Sequence, residues 1–111
     1  MKRLIALLAA VAVVAVAVVA VPAFAATKPV KVGPGIRFGP QKLNIKRGDT
    51  VKFRWTGSLP HNVIITKGPK RGKIAGVKTK GTVLKKFNTK GTYTIICQIH
   101  RPTMKLTLKV S

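Results

Sequence analysis

Alternation between apolar and charged side chains is clearest in the stretch Asp49-Thr50-Val51-Lys52-Phe53-Arg54-Trp55. Successive side chains of a β-strand point to opposite faces, so the three apolar residues share one face and the two basic residues share the other. The pattern predicts a strand with one face in a core and one in solvent. Residues 105–110 alternate in the same way and predict a second strand of this kind.

Short β-branched runs separated by Gly, Pro or Asn continue along the chain and predict further strands. These predicted strands are 36–38, 41–46, 61–66, 82–88 and 92–97. No stretch has the periodicity of a helix. About seven to eight short strands favour an all-β sandwich, because two packed sheets let a chain of 111 residues bury a core without helices.

Residues 67–81 form the least regular segment, with six basic residues and four glycines. This composition predicts a mobile cationic loop, with a short turn around Ile74 and Ala75.

The first 25 residues are typical of an export signal. Lys2 and Arg3 precede an apolar run over 4–21, and Ala23-Phe24-Ala25 fits a signal-peptidase site. We therefore expect a signal peptide over 1–25 and one domain over 26–111. Because the apolar run nearly reaches the length of a membrane span, retention of 4–21 as an N-terminal anchor is the alternative. Both interpretations place the domain outside the cytoplasm.

Basic residues dominate the domain. The sequence has 22 Lys and Arg residues, two of which precede residue 25, against one acidic residue, Asp49, so 26–111 carries a formal charge of +19. This charge predicts acidic redox proteins, an anionic membrane surface or wall polymers as partners, and a monomer. Nucleic acid is not expected, because an exported protein meets little of it and the chain has no nucleic-acid module or aromatic stacking platform.

Cys97 is the only cysteine, so the chain cannot form an internal disulfide. It could be an inert buried thiol, a reactive thiol, an intermolecular disulfide or a metal ligand. Its neighbours favour ligation, since His100 and Met104 follow within eight residues and His61, the other histidine, opens a predicted strand. One thiolate, two imidazoles and a weak thioether suit a type 1 copper ion, whereas zinc prefers stronger ligands than a thioether.

These motifs resemble the plastocyanin-like cupredoxins, the blue copper family that includes plastocyanin, pseudoazurin and amicyanin. The matching stretches are Gly48-Asp49-Thr50-Val51 with Phe53 and Trp55, Leu59-Pro60-His61-Asn62-Val63, Gly91-Thr92-Tyr93, and Cys97-x2-His100-x3-Met104. The resemblance implies a Greek-key sandwich with copper at one pole, held by His61, Cys97, His100 and Met104. It also implies that Asn62 ties two loops of the site together, although it could simply cap a turn.

Two features depart from the family. The gap between His100 and Met104 is three residues, against two in amicyanin and four in plastocyanin. The resemblance implies that electrons enter and leave at His100, and Arg101 puts a positive charge beside it. We expect single-electron transfer and no enzymatic activity, because both histidines are used by one site. A copper carrier or scavenger, and a polyanion-binding module on the same scaffold, are the alternatives.

Overall fold

The computed structural model describes residues 25–111, which form nine strands, one 3₁₀ turn over Gln98–His100 and no α-helix. The strands are β1 Thr27–Val32, β2 Phe38–Gly39, β3 Lys42–Ile45, β4 Thr50–Trp55, β5 His61–Lys67, β6 Gly72–Lys78, β7 Thr82–Lys86, β8 Gly91–Ile96 and β9 Lys105–Val110. The predicted all-β class is confirmed.

Two sheets pack face to face to make the Greek-key sandwich. The first has the strand order β2-β1-β4-β7 and the second β3-β9-β8-β5-β6. The parallel pairs β1 with β4 and β3 with β9 join strands that are not consecutive along the chain, and the other pairs are antiparallel. In β4, Val51, Phe53 and Trp55 point into the core, as the alternation predicts.

The prediction of a loop over 67–81 is wrong for its central part. Gly72–Lys78 forms β6, which pairs with the edge of β5 and places Ala75 opposite Val63. Backbone hydrogen bonds to β5, together with burial of Ala75, outweigh the weak strand preference of Gly and Lys. Lysine-rich sequence is also common on edge strands, where charge discourages pairing with other chains.

The strand β1 had no separate prediction, and it lies parallel to β4 with Val30 and Val32 fully buried. The predicted signal peptide falls almost wholly outside the described residues. Within residues 25–111, no helix has the length and apolarity to cross a bilayer.

Asp49, the one acidic side chain of the sequence, ties two segments of backbone together. Its carboxylate accepts hydrogen bonds from the backbone N–H of Ala26 at 2.8 Å and of Lys46 at 3.0 Å. These two bonds, with a smaller contribution from the charges of Lys28 and Lys46, lower the pKa of Asp49 and outweigh the opposing effect of burial. The ionised carboxylate therefore stabilises the start of β1 against the turn before β4.

We predict that this contact makes the stability of the protein sensitive to acid. A carboxyl group with a lowered folded-state pKa gives its full stabilisation above its ordinary pKa of 3.8 and loses it as the pH falls through the folded-state value. Asp49→Asn should lower the melting temperature at pH 6 and flatten its decline below about pH 4. Thermal unfolding of the copper-free protein across this range tests both points, and parallel acid profiles for the two proteins would contradict them.

Candidate metal centre

Three of the four predicted ligands lie where inward-facing rows of side chains reach one pole of the sandwich. His61 is the first residue of β5, Cys97 directly follows β8, and Met104 directly precedes β9. All three side chains are fully buried. They lie in line with the inward-facing apolar side chains of these strands. The site therefore lies at one end of the hydrophobic core.

The pairing of β8 with β9 sets the positions of Cys97 and Met104. Ile96 lies opposite Lys105, so the next residues outward, Cys97 and Met104, also face each other. The N–H of Cys97 donates to the carbonyl of Met104 at 3.2 Å. Within the connecting loop, the N–H of Met104 donates to the carbonyl of His100 at 3.0 Å, which closes the loop on itself.

Three potential ligand atoms converge at this pole. The Nδ1 atoms of His61 and His100 are 3.1 Å apart, and Sγ of Cys97 lies 3.5 Å from Nδ1 of His100. Potential ligand atoms of these three residues lie within 4.8 Å of one another. Bonds of about 2.0–2.3 Å from nitrogen and sulfur to a common ion bring ligand atoms roughly 3–4 Å apart, so the three side chains fit one metal ion.

The environment of His61 favours the neutral imidazole that metal binding requires. Burial lowers its pKa most, the neighbouring His100 lowers it further, and the backbone of Gly35 opposes the shift. Its Nε2 atom is buried and makes no hydrogen bond among residues 25–111. A neutral ring can direct the lone pair of Nδ1 towards the centre of the cluster.

Asn62 links the strand that carries His61 to the loop that carries Cys97 and His100. Its amide Nδ2 donates to Oε1 of Gln98 at 3.1 Å, and its Oδ1 accepts from the backbone N–H of Gln98 at 2.8 Å. Its side chain is 7% exposed. Both contacts are made with the residue that directly follows Cys97.

Two further residues, Trp55 and Gly33, support His61, and the sequence did not indicate this role for them. Trp55 donates from Nε1 to the carbonyl of His61 at 3.0 Å and so joins the first sheet to the site. The N–H of a buried tryptophan usually has a hydrogen-bond partner, so Trp55 could have been recognised in the sequence as a residue that makes such a contact. Gly33 has φ +94°, and a Cβ there would lie 2.5 Å from the carbonyl oxygen of Thr56 and 3.5 Å from Nε2 of His61. Only glycine fits this close approach.

Comparisons with known proteins agree with the site. The family model for copper binding proteins of the plastocyanin/azurin family matches residues 27–111. Amicyanin-alpha of Methylorubrum extorquens is 38% identical over 84 residues, which is 73% of this chain and 69% of that protein.

Solved structures give the same result. Amicyanin from Paracoccus versutus superposes with a TM-score of 0.66 at 28% identity, covering 84% of this chain and 87% of that one. Oxidised plastocyanin from Dryopteris crassirhizoma gives 0.64 at 25% identity, covering 75% and 99%. The fold and the family predicted from the sequence are confirmed.

We predict that Asn62→Ala weakens metal binding by about 10–100-fold, because the loop would no longer be fixed against β5. Competitive titration with Cu(II) measures the affinity. Asn44→Ala, on the exposed face of edge strand β3, is the matched control and should bind as the wild type does. An Asn62→Ala protein with unchanged affinity and spectrum would show that the two hydrogen bonds do not support the site.

Proposed function

The chain belongs to the plastocyanin/azurin family of copper-binding proteins, and from this membership we propose that it carries single electrons between redox partners outside the cytoplasm. Its cofactor is one type 1 copper ion. The observation that best supports the proposal is the convergence of two imidazole nitrogens and one thiol sulfur at a buried pole.

We assign the copper ligands to Nδ1 of His61, Nδ1 of His100, Sγ of Cys97 and the thioether of Met104. The bound ion supplies a one-electron couple between Cu(I) and Cu(II), since sulfur favours the reduced ion and imidazole accepts both states. The protein keeps the ligands in place. Full burial of His61, Cys97 and Met104 excludes water and leaves these side chains little freedom to move when the charge changes.

His100 is the proposed route for electrons, because it is the one ligand that is partly exposed. Leu59 and Ile99, close to the two histidines in sequence, have 40% and 50% of their surface exposed. Exposed apolar side chains around a ligand favour close contact with a partner and exclude water from the path. Arg101 is exposed beside His100 and would favour a partner with acidic residues at its docking site.

The sequence chemistry supports the remaining parts of the proposal. Both histidines of the chain lie in one centre, so none is left for a second, catalytic copper site. The formal charge of +19 over 26–111 disfavours self-association and attracts acidic redox proteins. Export rests on the pattern of the first 25 residues, with cleavage after Ala25 as the proposed maturation step and retention of 4–21 as a membrane anchor as its alternative.

We predict that residues 26–111, loaded with Cu(II), show an intense visible charge-transfer band from the cysteine thiolate. Cys97→Ser should abolish the band. Met104→Leu should keep it while shifting both the spectrum and the reduction potential, because the axial bond is weak. Absorption spectroscopy measures the band, and voltammetry measures the reduction potential. Residues 26–111 contain no methionine other than Met104, so no second thioether can replace the one that is lost.

An electron carrier and a copper carrier should differ in which reaction is faster, reduction by a partner or transfer of copper. If the protein is an electron carrier, reduction by a soluble redox partner should be much faster than copper transfer to an apoprotein acceptor. Stopped-flow absorption at the charge-transfer band follows both reactions. Rapid loss of copper with slow redox cycling would overturn the electron-transfer proposal and favour the carrier.

A further inference from the structure

A basic cleft lies between the edges of the two sheets, away from the metal centre. Strands β6 and β7 are the last strands of their sheets and lie next to each other. The cavity between them has a volume of about 330 Å³. Its cationic lining, which we call the basic cleft, consists of Lys70, Arg71, Lys73, Lys85 and Lys86.

The positive charge of the basic cleft is not balanced by its own lining. None of the residues around the cavity is acidic, and the carboxylate of Asp49 accepts hydrogen bonds from backbone N–H groups at a separate cavity. Five cations around one cavity repel one another and leave a positive field there. A bound anion would relieve this repulsion.

The position of the cations at the edges of two sheets favours an extended anion. Lys70, Arg71 and Lys73 lie on the β6 side of the cleft, and Lys85 and Lys86 lie on its β7 side. Lys85 shares the face of Val51 and Lys86 the opposite face of β7, so a chain in the cleft would meet Lys85 and a chain that continues over the edge of β7 would also meet Lys86. A flat membrane surface cannot enter such a recess. The aromatic side chains beneath it, Phe87 and Tyr93, are only 3% and 2% exposed and cannot stack on nucleic-acid bases.

The cleft is also separate from the copper chemistry. β7 starts near the metal centre, since Thr82 pairs with Arg54 next to Trp55, and it runs away from that centre to Lys86, opposite Thr50. A ligand in the cleft would therefore leave the pole around His100 open to a redox partner.

From this geometry we propose that the basic cleft binds a flexible linear polyanion with closely spaced phosphate groups, such as a polyphosphate chain. Lysine and arginine donate to phosphate oxygens from both sides of the cleft, and an unbranched chain could lie along it and contact both sides. Three of its cations belong to 67–81 and two belong to β7, so the site joins the turn before β6 and the start of β6 to the end of β7. It is independent of the electron-transfer proposal.

Binding of defined-length inorganic polyphosphate to the copper-loaded protein, measured by calorimetry at several salt concentrations, tests the proposal. The cleft variant carries Lys70→Gln, Lys73→Gln, Lys85→Gln and Lys86→Gln. The control variant carries Lys31→Gln, Lys42→Gln, Lys52→Gln and Lys109→Gln on exposed positions of other strands, and it loses the same net charge.

The cleft variant should bind about tenfold more weakly or worse, with a salt slope lower by up to about 3, whereas the control should change by less than about threefold. The visible copper band should be unchanged in both. Equal weakening of the two variants would overturn the proposal, because bulk charge would then explain binding. It would also be overturned if poly-glutamate bound as tightly as polyphosphate, or if anionic vesicles bound and polyphosphate did not.

Should the fourfold cleft variant lose its copper band, the double variant Lys85→Gln/Lys86→Gln, compared with Lys52→Gln/Lys109→Gln, provides the same comparison with less disturbance. Weaker polyphosphate binding by the first pair alone supports the cleft, and equal binding by the two pairs overturns it.

Discussion

Two hydrogen bonds between Asn62 and Gln98 connect the halves of the candidate metal centre. One half is the start of β5, which carries His61, and the other is the loop from Cys97 to Met104. Each half is fixed within itself, the first by Trp55 and the second by the backbone bonds of the loop. The pairing of β5 with β8 brings the two halves side by side, and the link between Asn62 and Gln98 fixes the loop against β5 beyond the end of that pairing. The proposed redox chemistry depends on the resulting distance between the two imidazole nitrogens.

The core and the site form one structure. His61, Cys97 and Met104 end rows of side chains whose other members are core residues such as Val63, Ile95 and Leu106. Packing in these rows leaves few voids, so a displacement in the core is transmitted to the ligands. The sandwich holds the ligand side chains in place through this packing and needs no disulfide to do so.

Alternation and ligand chemistry made most of the molecule predictable. The strands with apolar faces, such as β4 and β9, and the grouping of His61, Cys97 and His100 follow from side-chain patterns that the sequence displays. The strand β6 does not, because backbone pairing with β5 creates it and leaves little trace in a segment of Gly and Lys. The roles of Trp55 and Gly33 depend on their contacts with His61 and Thr56, which lie on other segments of the chain, so local sequence cannot specify them.

The imbalance between basic and acidic residues has a consequence for regulation. Lysine and arginine stay protonated across the physiological pH range, and histidine is the side chain that ordinarily changes charge there. Both histidines lie in the candidate metal centre, and the single carboxylate accepts hydrogen bonds from backbone N–H groups. The charge that the domain presents to a partner is therefore carried by lysine and arginine, so the number of acidic groups on the partner and the salt concentration set the strength of an encounter.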